Sequence, residues 1–239
     1  MKYAVISDIH ANLEALTVCL EKINKINPDR IICMGDLVDY CAQPNECVEL
    51  IRKYSDVVLL GNHDEAQFNH PLANGFSSDA FTSSVYTRKI IHREYIEYFR
   101  TLPYIHSENN LFFVHGSPYM PEEYKYCYTI DSAETNFKYF DEAVCFIGHS
   151  HIPVIFEEFD GKIRQAGEKS VQKGNRYIIN VGSVGQPRDG ERKLSFGLFD
   201  TEDFSYQNIR LDYDIQSASE KILREGLPPR LADRLFWGI

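Results

Sequence analysis

The stretch YAVISDIHANLEALTVCLEKINKI, residues 3–26, joins a short apolar run to a segment whose apolar residues recur at helical spacing. The run Tyr3–Ser7 predicts a strand, and Leu13–Ile26 predicts a helix. The pattern then repeats with two strand-like runs and one further helix, at Arg30–Met34, Val57–Leu60 and Glu46–Tyr54. Asn45 is the predicted N-cap of that second helix. Strands that alternate with helices indicate βαβ units and a largely parallel sheet buried on both faces.

The second half of the chain has a different pattern. Turn signals separate short strands that predict a second, mostly antiparallel sheet, at Val154–Phe159, Lys162–Ala166, Tyr177–Val181, Leu194–Asp200 and Ser205–Leu211. Residues 65–110 predict a helical insertion with a helix around Ser84–Leu102, and residues 213–239 predict a helical tail. No Pro/Gly/Ser-rich linker divides the chain. Residues 1–239 are therefore expected to form a single α/β domain, a two-sheet α/β/β/α sandwich.

The composition excludes several classes of protein. The chain has 239 residues, of which 44% are hydrophobic, enough to bury a substantial core. Its net charge is −10 without a Lys/Arg-rich run, which argues against duplex nucleic acid as a partner. The six cysteines lack zinc or redox spacing and are expected to be buried free thiols. No apolar stretch has the length of a membrane span, and Met1-Lys2 leads directly into the first strand, so the predicted location is the cytoplasm without a membrane partner.

Side chains with metal-binding or catalytic chemistry follow five of the apolar runs. They are Asp8 and His10, Asp36 and Asp39, Asn62, His63 and Asp64, His115, and His149 and His151. Open α/β sheets place their ligand sites at the carboxyl ends of strands. A single Asp after a strand is usually a helix cap, and a single His is usually a partly buried ring. Capping does not explain five strand ends with nitrogen or oxygen ligands, four of which adjoin a glycine.

The types of ligand narrow the choice of metal. The set offers imidazole, carboxylate and amide oxygen but no thiolate, which suits manganese, iron, cobalt, nickel or zinc rather than a Cys-rich structural zinc site. There are more ligands than one ion requires. Two ions that share a carboxylate are the natural arrangement, and such pairs are a recurring device for phosphoryl transfer.

The ordered motifs D-x-H, G-D-x-x-D, G-N-H-D, H-G and G-H-x-H resemble those of the calcineurin-like metallophosphoesterase superfamily. The chain is most similar to small bacterial and archaeal members without a cap domain, often labelled phosphodiesterases or diadenosine-tetraphosphatase-like proteins. The resemblance extends to Ser7–Leu16, Gln43–Glu46, Val114–Pro118 and Asn180–Gly190. It departs from the family pattern at Ala11, Asp39–Ala42 and Val181, none of which is a ligand.

The resemblance implies a role for each motif residue. Asp8, His10 and His151 would hold one metal ion, Asn62, His115 and His149 the other, and Asp36 would bridge the two. The ions would be divalent or trivalent, with manganese the expected activator in vitro, and a hydroxide shared between them would be the nucleophile. His63 would protonate the leaving oxygen or stabilise charge on the phosphoryl group. Asp64 would fix the tautomer and orientation of His63, and Asp39 would support a metal ligand.

The predicted function is hydrolysis of phosphodiester or phosphomonoester bonds in a small-molecule or nucleotide-type substrate. The alternatives are a phosphoprotein phosphatase, a dinucleoside polyphosphate hydrolase and, in a different class, a non-catalytic metal-binding scaffold. A mononuclear amide or ester hydrolase would leave Asn62 and two histidines without a role. Nothing in the sequence specifies an oligomer.

Four residues outside the motifs are weighed as substrate contacts. The guanidinium of Arg188 could grip a phosphate oxygen or form a surface ion pair with Asp189 or Glu191, and both readings stay open. Weaker candidates lie in the 65–110 insertion, namely Tyr86, Arg88 and His92.

Overall fold

The computed structural model describes residues 1–239 as eleven strands and eight α-helices. The strands are β1 (Lys2–Ile6), β2 (Arg30–Cys33), β3 (Val57–Val58), β4 (Ile105–Glu108), β5 (Leu111–Val114), β6 (Val144–Ile147), β7 (Val154–Phe159), β8 (Lys162–Ala166), β9 (Arg176–Asn180), β10 (Leu194–Asp200) and β11 (Ser205–Leu211). The helices are α1 (Leu13–Ile26), α2 (Pro44–Tyr54), α3 (Asn62–Glu65), α4 (Ser78–Ile90), α5 (Arg93–Phe99), α6 (Ile130–Asn136), α7 (Ile215–Arg224) and α8 (Pro229–Trp237). Short 3-10 helices cover His70–Gly75, Pro121–Glu123 and Glu168–Ser170.

Two sheets pack face to face. The first has the strand order β11-β10-β1-β2-β3, and the second has the order β4-β5-β6-β9-β7-β8. A buried cluster joins their facing sides, with Val5 and Ile32 from the first sheet against Phe113 and Phe146 from the second. Helices α1, α2 and α5 cover the outer face of the first sheet, and α6 covers the second. The predicted two-sheet α/β/β/α sandwich is confirmed.

The placement of the last two strands corrects the sequence prediction. β10 pairs antiparallel with β1, and β11 pairs antiparallel with β10, so both belong to the first sheet. The second sheet is also less antiparallel than predicted, because β5, β6 and β9 run parallel at its centre. Periodicity shows which faces of a strand are buried, but it does not identify the partner strand.

The 65–110 insertion contains two helices where the sequence predicted one, because the backbone is extended at Ile91 and His92. Asn45 stabilises this break and does not cap α2. Its side chain donates to the carbonyl oxygen of Ile90 and accepts from the backbone nitrogen of His92. Helix α2 starts instead at Pro44, which has a fixed φ suited to a first turn.

The helical tail packs beside the loops that follow β1 and β2. Leu231 and Leu235 of α8 are buried in a cluster that includes Ala11, Tyr40 and Ala80. This contact fixes α8 next to the carboxyl ends of the first sheet. All six cysteines are buried and free, as predicted. No helix has the length and hydropathy needed to span a membrane.

Candidate active site

The predicted ligands meet where the carboxyl ends of both sheets come together. The loops after β1, β2 and β3 bring residues from the first sheet, and the loops after β5 and β6 bring them from the second. One group, within which the ligand atoms lie no more than 4.8 Å apart, contains Asp8, His10, Asp36 and His151. A second group with the same spacing contains Asp36, His115 and His149. Asp36 is the residue common to both groups, and every member is buried.

Asn62 completes the second group. Its Oδ1 lies 3.2 Å from Nε2 of His115, and Nε2 of His115 lies 3.2 Å from Oδ2 of Asp36. The structure thus brings all seven predicted metal ligands together at one seam between the sheets.

Backbone carbonyls orient three of the histidine rings. Nδ1 of His10 lies 3.0 Å from the oxygen of Val38, Nδ1 of His115 lies 2.9 Å from that of Met34, and Nδ1 of His151 lies 2.6 Å from that of Gln186. A carbonyl can only accept, so Nδ1 carries the proton in each ring and Nε2 faces the cluster. A carbonyl that fixes the tautomer in this way is typical of metal-binding histidines.

Two contacts inside the cluster fit a cation. Nε2 of His10 and Nε2 of His151 lie 3.0 Å apart, although both Nδ1 atoms donate elsewhere, so in the neutral rings two lone pairs face each other. Oδ2 of Asp36 is buried without a hydrogen-bond donor. A positive ion among these atoms would satisfy both the lone pairs and the carboxylate oxygen, whose burial without a partner is costly.

Burial also keeps most of these rings in the form that binds metal. It lowers the pKa of His149 to about 3 and that of His151 to about 4, so both rings are neutral at pH 7. Burial alone would also lower the pKa of His115, but the carboxylate of Asp36 raises it to about 9. The charge of Asp36 therefore favours a proton on His115, and a metal ion would take the place of that proton.

His63 is oriented by Asp39, which corrects the predicted role of Asp64. Nδ1 of His63 lies 2.8 Å from Oδ2 of Asp39, and Gln67 donates to the other carboxylate oxygen of Asp39. Burial alone would lower the pKa of His63, but the charges of Asp36 and Asp39 raise it above its ordinary value. The resemblance implied Asp64 for this contact, whereas the turn after β2 brings Asp39 to the ring.

Asp64 instead joins two loops through their backbones. Its carboxylate accepts hydrogen bonds from the backbone nitrogens of Asp36, Leu37 and Gly61, at 2.8, 2.8 and 3.2 Å. It sits in the first turn of α3, so its side chain points back toward the start of that helix. Gly61 is necessary at this junction because a Cβ there would clash with the backbone nitrogen of Asp36. Asp64 therefore fixes the position of Asp36 and makes no hydrogen bond to the ring of His63.

The Gly-rich turn after β9 supports the loop that carries Asp8. The backbone nitrogen of Gly185 and the hydroxyl of Ser183 both donate to the carbonyl of Asp8, each at 2.8 Å. A Cβ at Gly185 would overlap the carbonyl oxygen of Ile9, so only glycine allows this approach.

Five of the ligands have left-handed backbone conformations. Their φ angles are 55° at Asp8, 49° at His10, 56° at Asp36, 64° at His149 and 62° at His151. Residues other than glycine rarely adopt this region, and each such residue costs about 1–2 kcal/mol. Strain of this kind is typical of active sites, where the surrounding structure imposes it.

A cavity of about 380 Å³ opens beside the metal-binding residues, and its wall contains residues that the sequence did not indicate. The ring of Phe76 packs on His63 with centroids 4.5 Å apart, and Tyr126 stacks on His149 at 4.2 Å. Arg230 and Arg234 of α8 also line it. These residues come from the insertion, the 117–140 segment and the tail, where no local pattern marked them.

Arg188 lines the same cavity, and the structure does not show either ion pair weighed for it. Asp189 pairs with Arg210, and the guanidinium of Arg188 donates to Oε1 of Gln186 and lies 5.4 Å from the centroid of the Tyr40 ring. The weaker candidates in the insertion, Tyr86, Arg88 and His92, do not line the cavity.

Known proteins share both the sequence pattern and the fold. The model for the calcineurin-like phosphoesterase superfamily domain matches residues 1–204. The uncharacterised protein MJ0912 of Methanocaldococcus jannaschii is 40% identical over 239 residues, which cover 98% of this chain and 97% of that protein.

Two solved structures superpose on nearly the whole chain. A metallophosphoesterase from Sphaerobacter thermophilus matches with a TM-score of 0.87 and 33% identity, covering 100% of this chain and 99% of its own. The hypothetical protein PH1004 from Pyrococcus horikoshii OT3 matches with a TM-score of 0.82 and 22% identity, covering 100% and 98%. At 22% identity, the similarity to PH1004 shows a shared fold only.

Proposed function

This chain belongs to the calcineurin-like phosphoesterase superfamily, and from that premise we propose that it hydrolyses phosphodiester or phosphomonoester bonds with the help of two metal ions. The resemblance inferred from the five motifs is confirmed, and membership supports a hydrolase that acts on phosphate esters. The dinuclear centre and the substrate belong to the proposal. The observation that carries it is the pair of buried ligand groups that share Asp36.

The proposed centre uses every predicted ligand. One ion would be held by Asp8, His10 and His151, the other by Asn62, His115 and His149, with Asp36 between them. When bound, such a pair of cations lowers the pKa of water and neutralises the charge of a phosphoryl group. Nitrogen and oxygen donors fit manganese, iron, cobalt, nickel or zinc, and manganese is the ion proposed for assays.

His63 is the proposed proton donor to the leaving oxygen. Asp39 holds its Nδ1, which leaves Nε2 for the cavity. Against the effect of burial, the carboxylates of Asp36 and Asp39 raise the pKa of His63 above its ordinary value. At neutral pH, this ring therefore carries a proton for a larger fraction of the time than an isolated histidine does. A positioned acid of this kind contributes about 10²–10⁴-fold to a rate.

The dimensions of the cavity favour small substrates. Its volume of about 380 Å³ lies within the range of small-molecule sites, and residues of the insertion and the tail line it together with the predicted ligands. This argues for a small-molecule or nucleotide-type ester over a folded phosphoprotein. A non-catalytic scaffold is disfavoured because the ligands, His63 and its partner Asp39 are all in place.

The direct test is hydrolysis of bis(p-nitrophenyl) phosphate and of p-nitrophenyl phosphate by metal-stripped protein, before and after addition of Mn²⁺. We expect activity to appear with the metal and to disappear again with excess chelator. If neither ester is hydrolysed with manganese, iron, cobalt, nickel or zinc, while calorimetry shows that the ions bind, the scaffold alternative replaces the proposal.

A further inference from the structure

One wall of the active-site cavity concentrates positive charge in an acidic protein. The chain carries a net charge of −10, yet Arg188, Arg230 and Arg234 all line this cavity. Apart from the metal ligand Asp36, the one carboxylate in the lining is that of Asp79. An excess of guanidinium groups at this place needs an explanation.

Ion pairs within the protein do not explain this excess of guanidinium groups. No carboxylate lies within salt-bridge distance of Arg188, and the guanidinium of Arg234 makes one hydrogen bond to the protein, from Nε to an oxygen of the last residue, Ile239. Burial and the neighbouring charge of Arg188 lower the pKa of Arg234, so the two cations are close enough to disfavour each other. Arg230 is 80% exposed and lies 4.0 Å from Asp79, a weak ion pair at the rim.

The tail holds these side chains in place. Leu231 and Leu235 anchor α8 in a buried cluster with Tyr40, whose ring lies under Arg188 and 4.8 Å from the ring of His63. Residues 230 and 234 are one helical turn apart, so their side chains project from the same face. The arginines therefore extend from the ring next to His63 outward to the rim.

We propose that Arg188 and Arg234, with Arg230 at the rim, bind a second phosphate of the substrate. The substrate would then be a phosphate ester that carries another phosphate group besides the one that reacts. Guanidinium groups match phosphate oxygens with two parallel hydrogen bonds, and a bound anion would relieve the repulsion between neighbouring cations. The inference rests on the proposed function, because it assigns the reacting phosphate to the metal-binding cluster.

The test uses ligands that cannot be hydrolysed. Calorimetry on the manganese-loaded protein, with excess Mn²⁺ present, compares alkylphosphonates with α,ω-alkanebisphosphonates of one, three and five carbons. We expect at least one bisphosphonate to bind at least about 10-fold more tightly than the monophosphonate of equal length. A gain of this size corresponds to the contribution of one or more charge-assisted hydrogen bonds. The chain length with the largest gain would measure the separation of the two anions.

Variants assign that gain to the arginines. Arg234→Gln should abolish the gain in affinity of the bisphosphonate over the monophosphonate, and Arg234→Lys should keep part of that gain. The matched control is Arg224→Gln, at an exposed residue of α7 outside the cavity, which should leave the gain intact. Arg230→Gln, at an exposed side chain, should reduce it without loss of folding. The proposal is overturned if no bisphosphonate gains affinity, or if Arg224→Gln loses as much as Arg234→Gln.

The same samples separate this inference from the proposed function. Each variant is also assayed with bis(p-nitrophenyl) phosphate, which has no second phosphate. If the protein hydrolyses the diester but binds no bisphosphonate more tightly than its monophosphonate, only the second phosphate site is contradicted. If a bisphosphonate binds more tightly than its monophosphonate but the diester is not hydrolysed, only the proposed activity is contradicted.

Discussion

The metal-binding cluster and the outer wall of the cavity differ in how they are built. Each ligand of the cluster lies in a short motif at a strand end, although the loop of another strand orients some of the rings, as the carbonyls of Val38 and Met34 do for His10 and His115. The wall is assembled from distant segments, with Phe76 from the insertion and Arg234 from the tail. The identity of the ligands is therefore encoded in short local motifs, whereas the residues of the recognition surface are brought together only by long-range packing. Substitutions in the two regions should have different consequences.

The largest effect is expected for Asp36→Asn, because both ligand groups share this carboxylate. An amide supplies no charge to either ion, so metal content and turnover should fall together, with turnover down by at least about 1000-fold. Metal analysis by mass spectrometry and a diester assay measure both. Asp203→Asn, at an exposed carboxylate far from the seam, is the control. Retention of two ions per chain in Asp36→Asn would contradict the shared position of this residue.

His63→Ala should separate chemistry from metal binding. The ring lies beside the cluster but makes its hydrogen bond to Asp39, so the metal content should stay unchanged. Loss of this proposed proton donor should lower kcat by about 10²–10⁴-fold. His70→Ala removes an exposed histidine of the insertion and should have no effect. Full activity in His63→Ala would rule out the assigned role.

Substitutions of Asp39 and Asp64 should separate two roles. Asp39 orients the ring of His63, and Asp64 holds together the loops that follow β2 and β3. Asp39→Asn should lower kcat by about 10–100-fold with little change in melting temperature, because it weakens the contact that orients His63. Asp64→Asn places an amide against backbone N–H donors and should destabilise the fold by about 1–3 kcal/mol. Thermal unfolding and kinetics on both variants provide the comparison. The opposite pattern would restore Asp64 as the partner of His63.

The smallest effect is expected in the wall, for Phe76→Ala. The ring packs on His63 without a polar contact, and such aromatic pairs contribute about 0.5–1.5 kcal/mol. KM should rise a few-fold while kcat changes little. Phe81→Ala, which removes an exposed ring of α4 outside the cavity, is the matched control. A loss in kcat as large as that of His63→Ala would mean that the wall takes part in the chemistry.

The sequence predicted the strand-end ligands because each motif is local and the direction of a parallel strand fixes where its end lies. It did not predict the pairing of β10 with β1, since apolar alternation is compatible with many partners. The role that the resemblance implied for Asp64 falls to Asp39, because the turn after β2 brings Asp39 to His63. Phe76, Tyr126 and Arg234 had no local signal, because only the packing of separate segments brings them to the cavity.

The left-handed backbone at the ligands has a consequence for protein engineering. Asp8, Asp36 and His149 adopt φ angles that are uncommon for residues other than glycine. Hydrogen bonds between loops of the two sheets support them, such as the one from the backbone nitrogen of His149 to the carboxylate of Asp8. A loop moved alone into another scaffold would relax to an ordinary conformation and direct its side chain elsewhere. The smallest unit that can be transplanted with its geometry intact is thus the pair of sheets, and designers who want new specificity should keep that pair and vary the insertion and the tail.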